Sequence, residues 1–313
     1  SGMTDLGARQ QLEMAIEADA AALETEGLDI VARSMRRQTW DRFRRHPVAV
    51  VSLFLLVALV TAFWVGPWLS PYTYDQVLAG LPNEGPSLSH PFGTDQIGRD
   101  LMVRVFTGGQ ISMTIAIVVA LLTTFIGTVI GAVAGFFGGW IDNVLSALTN
   151  LFLIVPGLLV LLVVAIKWGG GVYSTAVILA FLAWPVIARV VRGLFIQFKE
   201  QEFVQAAIAA GAKPSRIMFR HIIPNTFGPI IVNATLAVGA AIVIESTLSF
   251  LGLGVRPPTP SLGNIIQDYR GAIDSDPSKV LLPGLFVVLI TLCANFLGDA
   301  LRDALDPTSR RGH

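Results

Sequence analysis

The sequence predicts an all-α integral membrane protein with six transmembrane helices and both termini in the cytoplasm. Three observations carry that prediction. Hydrophobic residues make up 53% of the 313-residue chain and charged residues 14%, with a mean hydropathy of +0.65; soluble domains carry about 25% charged residues. The apolar residues gather in charge-poor intervals, each long enough for the roughly 20 helical residues that a bilayer demands. The 22 Lys and Arg are unevenly placed, sixteen in segments expected inside and six in segments expected outside, which fixes the orientation as N-in and C-in. The formal net charge of zero gives no basis for a nucleic-acid partner. A lone cysteine, Cys293, excludes an internal disulfide and leaves thiol-based metal or redox chemistry without support.

Taken in order, Ser1-Gly2 ahead of Met3 reads as an expression remnant. Residues 1–35 form an acidic cytoplasmic extension: Asp5, Glu13, Glu17, Asp19, Glu24, Glu26 and Asp29 stand against Arg9, and the Ala, Glu and Leu content suits a surface helix. From residue 33 the sign inverts, with Arg33, Arg36, Arg37, Arg42, Arg44 and Arg45 ahead of an uncharged run from Val48 to Gly66. That flank holds the first span, about 47–67, as a signal anchor rather than a cleaved signal. The remaining spans are expected at about 108–137, 143–166, 172–197, 225–250 and 280–300. Gly127, Gly131 and Gly135 recur every four residues in the second, so that face is expected to pack closely on another helix.

Two long segments fall outside. Residues 67–104 hold Pro67, Pro71, Pro82, Pro86 and Pro91, and residues 252–279 hold Gly252, Gly254, Pro257, Pro258, Pro260, Gly263 and Pro277. Neither composition sustains a continuous helix. Both segments would cap the outer face, as plain connectors or as contacts for something delivered from outside. Near the outer end of the fifth span, Glu245 is an ionisable group at membrane depth and a functional candidate by default. A structural bond to backbone or to the 252–260 loop is the favoured role. Asn233, deeper in the same span, either lines a pathway or bonds a neighbouring helix. His221 lacks companions at ligand spacing, and no nucleophile–base constellation is present.

The polar stretch 199–225 faces the cytoplasm and carries its own helical pattern. Glu200 to Ala210 favours helix, and Phe203, Val204, Ala207, Ile208 and Gly211 share one face. Gly211 suits a left-handed C-terminus. Pro214 suits the first turn of a second helix, which Pro224-Asn225 is expected to end. Two short helices with an alanine-rich face offer a surface for close docking, or simply pack on their own chain.

The stretch resembles the cytoplasmic motif of ABC-importer permeases: Glu-Ala-Ala, three residues, Gly, nine residues, Ile-x-Leu-Pro. Here it reads Gln205-Ala206-Ala207, Gly211 and His221-Ile222-Ile223-Pro224, with every spacing kept. Gln205 replaces the motif's glutamate, and Glu202 offers a carboxylate one turn earlier. Pro91-Phe92-Gly93-Thr94-Asp95 with Gly98-Arg99-Asp100 resembles the segment before the second span in the oligopeptide/dipeptide/nickel permease family. The runs Leu248–Gly254, Pro257–Pro260 and Gly298–Pro307 are similar to its later segments. Together they resemble the C-type member of a permease pair over residues 36–310.

That resemblance implies a type I ABC-importer permease fold and a bacterial cytoplasmic-membrane location. It also implies a second homologous permease, two cytoplasmic ATPases and an external substrate-binding protein as partners. Residues 199–225 become the ATPase-coupling loop, with Glu202, Gln205, Ala206, Ala207, Gly211 and Pro224 as its coupling residues. No G-x-x-x-x-G-K-[ST] loop occurs in the chain, so ATP and Mg are expected on the partner ATPases rather than here. Two other classes stay open on the residues alone. A self-contained secondary transporter or channel predicts broken helices with ion-coupling groups at mid-membrane. A non-transporting membrane sensor predicts neither a second permease nor an ATPase.

Overall fold

The computed structural model describes residues 43–44, 46–168 and 171–305. Residues 43–44 belong to a separate N-terminal unit, Ser1–Arg45, and the description below concerns the unit that begins at His46. The acidic extension, most of the arginine cluster after it and residues 306–313 lie outside the described residues. Among the described residues all regular elements are helical, with one isolated bridge between Thr94 and Asp100.

The helices are α1 (Pro47–Leu69), α2 (Leu101–Phe137), α3 (Gly139–Ile154), α4 (Gly157–Trp168), α5 (Val172–Lys199), α6 (Glu202–Ala209), α7 (Pro214–Phe250), α8 (Leu262–Tyr269) and α9 (Ser278–Leu305). Five of these, α1, α2, α5, α7 and α9, are long and apolar enough to cross a membrane. Local signals set their ends. Pro47 opens α1 at its first position, where a missing N–H is harmless. The Asp100 side chain accepts from the Val103 amide at 2.8 Å to cap α2. Ser261 and Asn264 form a reciprocal capping box on α8.

The core is built around α2, which packs along α5, while α7 lies against α9 and α2. The expected glycine face is the α2–α5 seam. A Cβ at Gly127 would stand 2.9 Å from the Trp184 carbonyl, and one at Gly135 would stand 2.6 Å from that of Arg192. At Gly131 it would collide with the Ala188 carbonyl. Small residues here let two backbones approach as neighbouring membrane helices do. Phe63, Leu101, Val105, Ile115, Ile242, Leu262, Ile265 and Ile290 fill the larger of two buried clusters.

Four expectations change. The second helix begins at Leu101 rather than near 108, because the Asp100 cap starts it and nothing breaks it before Arg104. Its 37 residues reach about 55 Å, well past a hydrocarbon core of roughly 30 Å. The first helix runs through Pro67 to Leu69. Proline there frees the Phe63 carbonyl four residues back, and Gln110 Nε2 donates to it at 2.7 Å. The third interval, 143–166, is two helices of 16 and 12 residues. Pro156 falls between them and cannot continue the ladder. Pro224 does not end the helical element that Pro214 opens. The chain passes through a π-helical stretch, Ile217–Ile222, whose following amide at Ile223 bonds back to Met218. That wider turn lets a residue without an N–H follow while α7 continues to Phe250.

Candidate functional site

The 199–225 region is built as two joined pieces. Lys199 closes α5 by donating from Nζ to the Phe136 carbonyl at 2.8 Å, with the Phe136 ring 5.6 Å away. The ends of α5 and α2 are thereby tied together. After the bend at Glu200-Gln201, α6 runs for eight residues and stops at Gly211, whose φ of 76° is left-handed. Glycine meets that requirement without strain. Pro214 then opens α7 as expected.

The apolar face of α6 is divided. Val204 is fully buried and joins Ala132 and Phe136 of α2, Ile187, Val191 and Phe195 of α5, and Ile217, Ile222 and Ile230 of α7. Ala207 and Ala212 pack against the same cluster. Glu202, Gln205, Ala206, Gly211 and Pro224 are exposed, as are Phe203 and Ile208. Ala207 therefore supports the helix from below, and the surface open to another molecule centres on Ala206 and Gly211. Gln205 Nε2 donates to the Lys199 carbonyl at 2.8 Å. A glutamate has no such donor, so the amide at 205 satisfies an orphan carbonyl at the α5 terminus.

At the other end of the molecule, Glu245 is fully buried in α7. Ser249 Oγ donates to its Oε1 at 2.7 Å and Ser246 Oγ lies 3.4 Å from its Oε2. The hydroxyls of Ser112 on α2 and Ser261 at the α8 cap also reach it. Three of those serines accept backbone amides: Ser249 from Val255, Ser112 from Leu262 and Ser261 from Asn264. Each hydroxyl can then turn its hydrogen to Glu245. The carboxyl group thus joins α2, α7, α8 and the loop between the last two. Asn233 donates to the Pro229 carbonyl of its own helix at 2.8 Å and lines a cavity of about 490 Å³ with Val190, Val232, Leu236 and Arg302.

The segments 67–104 and 252–279 hold groups that the sequence did not announce. His90 Nδ1 meets Asp100 Oδ2 at 2.8 Å beneath the Tyr72 ring. Arg104 on α2 reaches Asp268 on α8 at 3.3 Å, across 164 residues of chain. Lys279 pairs with Asp276 at 3.3 Å. Hydrogen bonds to Ser278 and Lys279 hold the Asp276 carboxyl below its ordinary range, whereas burial pushes Asp268 up against the pull of Arg104. Nothing local marks these pairs, because each joins segments remote in sequence or sits in an irregular loop.

Residues 127–311 match the family described as "Binding-protein-dependent transport system inner membrane component", and residues 34–86 match the "N-terminal TM domain of oligopeptide transport permease C". The chain is 39% identical to the oligopeptide transport system permease protein OppC of Escherichia coli K12 over 288 residues, covering 91% of this chain and 95% of that protein. It is 35% identical to the dipeptide transport system permease protein DppC of Alkalihalophilus pseudofirmus over 271 residues, 87% and 89% of the two chains. It is 39% identical to the glutathione transport system permease protein GsiD of Salmonella paratyphi A over 281 residues, 88% and 91%. Breadth and level of identity, together with the helical architecture, make the chain a member of the ABC-importer permeases of the oligopeptide/dipeptide family, in the branch of their C-type subunits.

Proposed function

We propose that this chain forms half of the translocation pathway of an ATP-driven importer for peptides or similar small solutes. In this reading it spans the bacterial cytoplasmic membrane six times, N-in and C-in, with α3 and α4 together making the third crossing. A second, homologous permease supplies the other half of the pathway. Two cytoplasmic ATPases bind ATP and Mg, and an external binding protein delivers the solute, so this subunit is not itself an enzyme. The loop 199–225 receives the ATPases on its exposed side, at Glu202, Gln205, Ala206 and Gly211.

The observation that carries the reading is the position of α6. A short helix that exposes Ala206 beside Glu202, Phe203, Gln205 and Ile208 rests, through Val204 and Ala207, on a cluster shared by α2, α5 and α7. A push on its outer side is therefore delivered to three long helices at once, through a core too closely packed to absorb it. Switching between outward and inward openings needs an element with two arrangements that both sites bias; the interface with the second permease is that element.

The test is uptake by vesicles containing the purified assembly. Uptake is expected to require ATP inside the ATPase compartment and to vanish when the ATPases are omitted. Uptake driven by a cation gradient without ATPases overturns the reading in favour of a secondary transporter.

A further inference from the structure

The outer end of α2 carries a guanidinium that its surroundings leave incompletely satisfied. Arg104 is only 3% exposed. Its Nη2 donates to Asp268 at 3.3 Å, and Nη1 lies 3.9 Å from Asp95. Neither Nε nor Nη1 makes a hydrogen bond among the described residues. Buried side-chain donors nearly always have partners, and an unmet donor on a charged group is the more costly kind. Asp95 is already committed: its Oδ1 accepts from the amides of Ile97 and Arg99, and its Oδ2 accepts from Arg99 Nε.

A second donor faces the same space. Tyr269 is 4% exposed, and its hydroxyl makes no hydrogen bond among the described residues. Burial pushes its phenol up, so the proton stays on the oxygen and is available to donate. Arg104 and Tyr269 line one cleft of about 290 Å³, together with Gln96, Arg99, Thr259 and Asn264. The walls come from the 95–99 turn, the 257–259 loop and α8. Donors without acceptors on one wall call for a ligand that brings acceptor oxygens.

We propose that this cleft binds a carboxylate, with Arg104 and Tyr269 as its recognition residues and Arg99 beside them. A guanidinium fork and a phenol suit a planar group with two acceptor oxygens. Asp95 and Asp268 also border the cleft, so a singly charged carboxylate is repelled less than a phosphate dianion. The volume suits the terminal one or two residues of a chain, the rest extending out of the mouth of the cleft. The carboxylate comes either from the C-terminus of a peptide or from an acidic side chain of an external protein. That choice of sources rests on the six-span reading, which places the cleft outside the cell; the chemistry of the cleft does not.

The experiment titrates trialanine and trialanine amide into the purified permease–ATPase assembly in nanodiscs, followed by calorimetry. Trialanine is expected to bind at least tenfold more tightly than its amide. Tyr269→Phe removes one hydroxyl and should weaken trialanine about tenfold, the order set by one hydrogen bond to a charged group, with the thermal midpoint unchanged. Arg104→Gln should abolish binding. Equal binding of acid and amide, or indifference to Tyr269→Phe, overturns the proposal. If trialanine does not bind, the external protein is the source, and the affinity of the co-purifying binding protein must fall about tenfold in Tyr269→Phe. No change there either overturns the site. Sidedness is read separately by labelling Gln96→Cys with a membrane-impermeant maleimide on intact cells. Absence of external labelling refutes the outward placement while leaving the trialanine result to judge the cleft.

Discussion

Ser249 Oγ donates to Glu245 at 2.7 Å while lying within hydrogen-bonding reach of the Val255 amide at 3.3 Å. One hydroxyl thus binds the C-terminal end of α7 to the loop that follows it, and Ser112 and Ser261 extend the same arrangement to α2 and α8. Glu245→Ala removes the shared acceptor and leaves buried hydroxyls unmet, for an expected loss of about 3–5 kcal/mol. Glu245→Gln keeps the volume but turns one acceptor into a donor facing donors, and should cost about 1–3 kcal/mol. Thermal unfolding of the purified chain should rank wild type above Gln and Gln above Ala. An Ala variant as stable as wild type removes the clamp from consideration.

The α2–α5 seam predicts opposite signs for two glycine-to-alanine changes. At Gly131 a Cβ meets the Ala188 carbonyl, with the Arg192 amide and Val191 Cβ both at 2.9 Å. Backbone atoms cannot yield as a side-chain tip can, so Gly131→Ala should lose at least about 1–3 kcal/mol. Gly193 sits within α5 with nothing inside 4 Å of the same added atom. Gly193→Ala should gain up to about 1 kcal/mol from reduced backbone freedom in the unfolded chain. Melting of the isolated chain in one lipid mixture decides both, and a neutral Gly131→Ala means that the seam is looser than described.

The helical class and the close glycine face were legible because both arise from local composition and four-residue spacing. So were the Gly211 stop and the Pro214 start, each fixed by backbone chemistry of a single residue. Helix ends near charges were less legible. Arg104 reads as the limit of a span, yet it lies inside α2, in the turn that the Asp100 cap starts, with Asp268 as its hydrogen-bond partner. Proline rules gave mixed results for one physical reason: a missing N–H breaks a helix only if the freed carbonyl finds no other partner. Gln110 supplies that partner at Pro67, the π stretch absorbs Pro224, and at Pro156 the chain does break. In the 199–225 loop, spacing located α6 but did not separate Ala206 from Ala207, because which alanine faces inward depends on a cluster drawn from three distant helices.

That separation yields a prediction about coupling. Ala206 is exposed and Ala207 packs on the buried cluster. Ala206→Asp should leave the melting midpoint within about 0.5 kcal/mol of wild type, as surface changes do, while uncoupling ATP hydrolysis from uptake. Ala207→Asp places a charge against apolar side chains and should also lower stability, by an expected 1–3 kcal/mol or more. Gly211→Arg adds bulk at a left-handed position and should uncouple as Ala206→Asp does, with a strain cost of about 1 kcal/mol. Normal uptake in Ala206→Asp and Gly211→Arg excludes this surface as the docking face.

The Phe63 carbonyl offers the last prediction, as a double-mutant cycle. Pro67 denies that carbonyl its usual helical donor, and Gln110 Nε2 replaces the donor from α2 at 2.7 Å. Gln110→Leu keeps approximate bulk but strands the carbonyl, at an expected cost of about 1–3 kcal/mol. Pro67→Ala restores an N–H four residues on, where α1 is still helical. In that background the Phe63 carbonyl no longer depends on Gln110, so the cost of Gln110→Leu should shrink by about 1 kcal/mol or more. Unfolding midpoints of wild type, both single variants and the double variant measure the coupling. Strict additivity would show that Gln110 contributes only packing, and that the carbonyl freed by Pro67 is met in some other way.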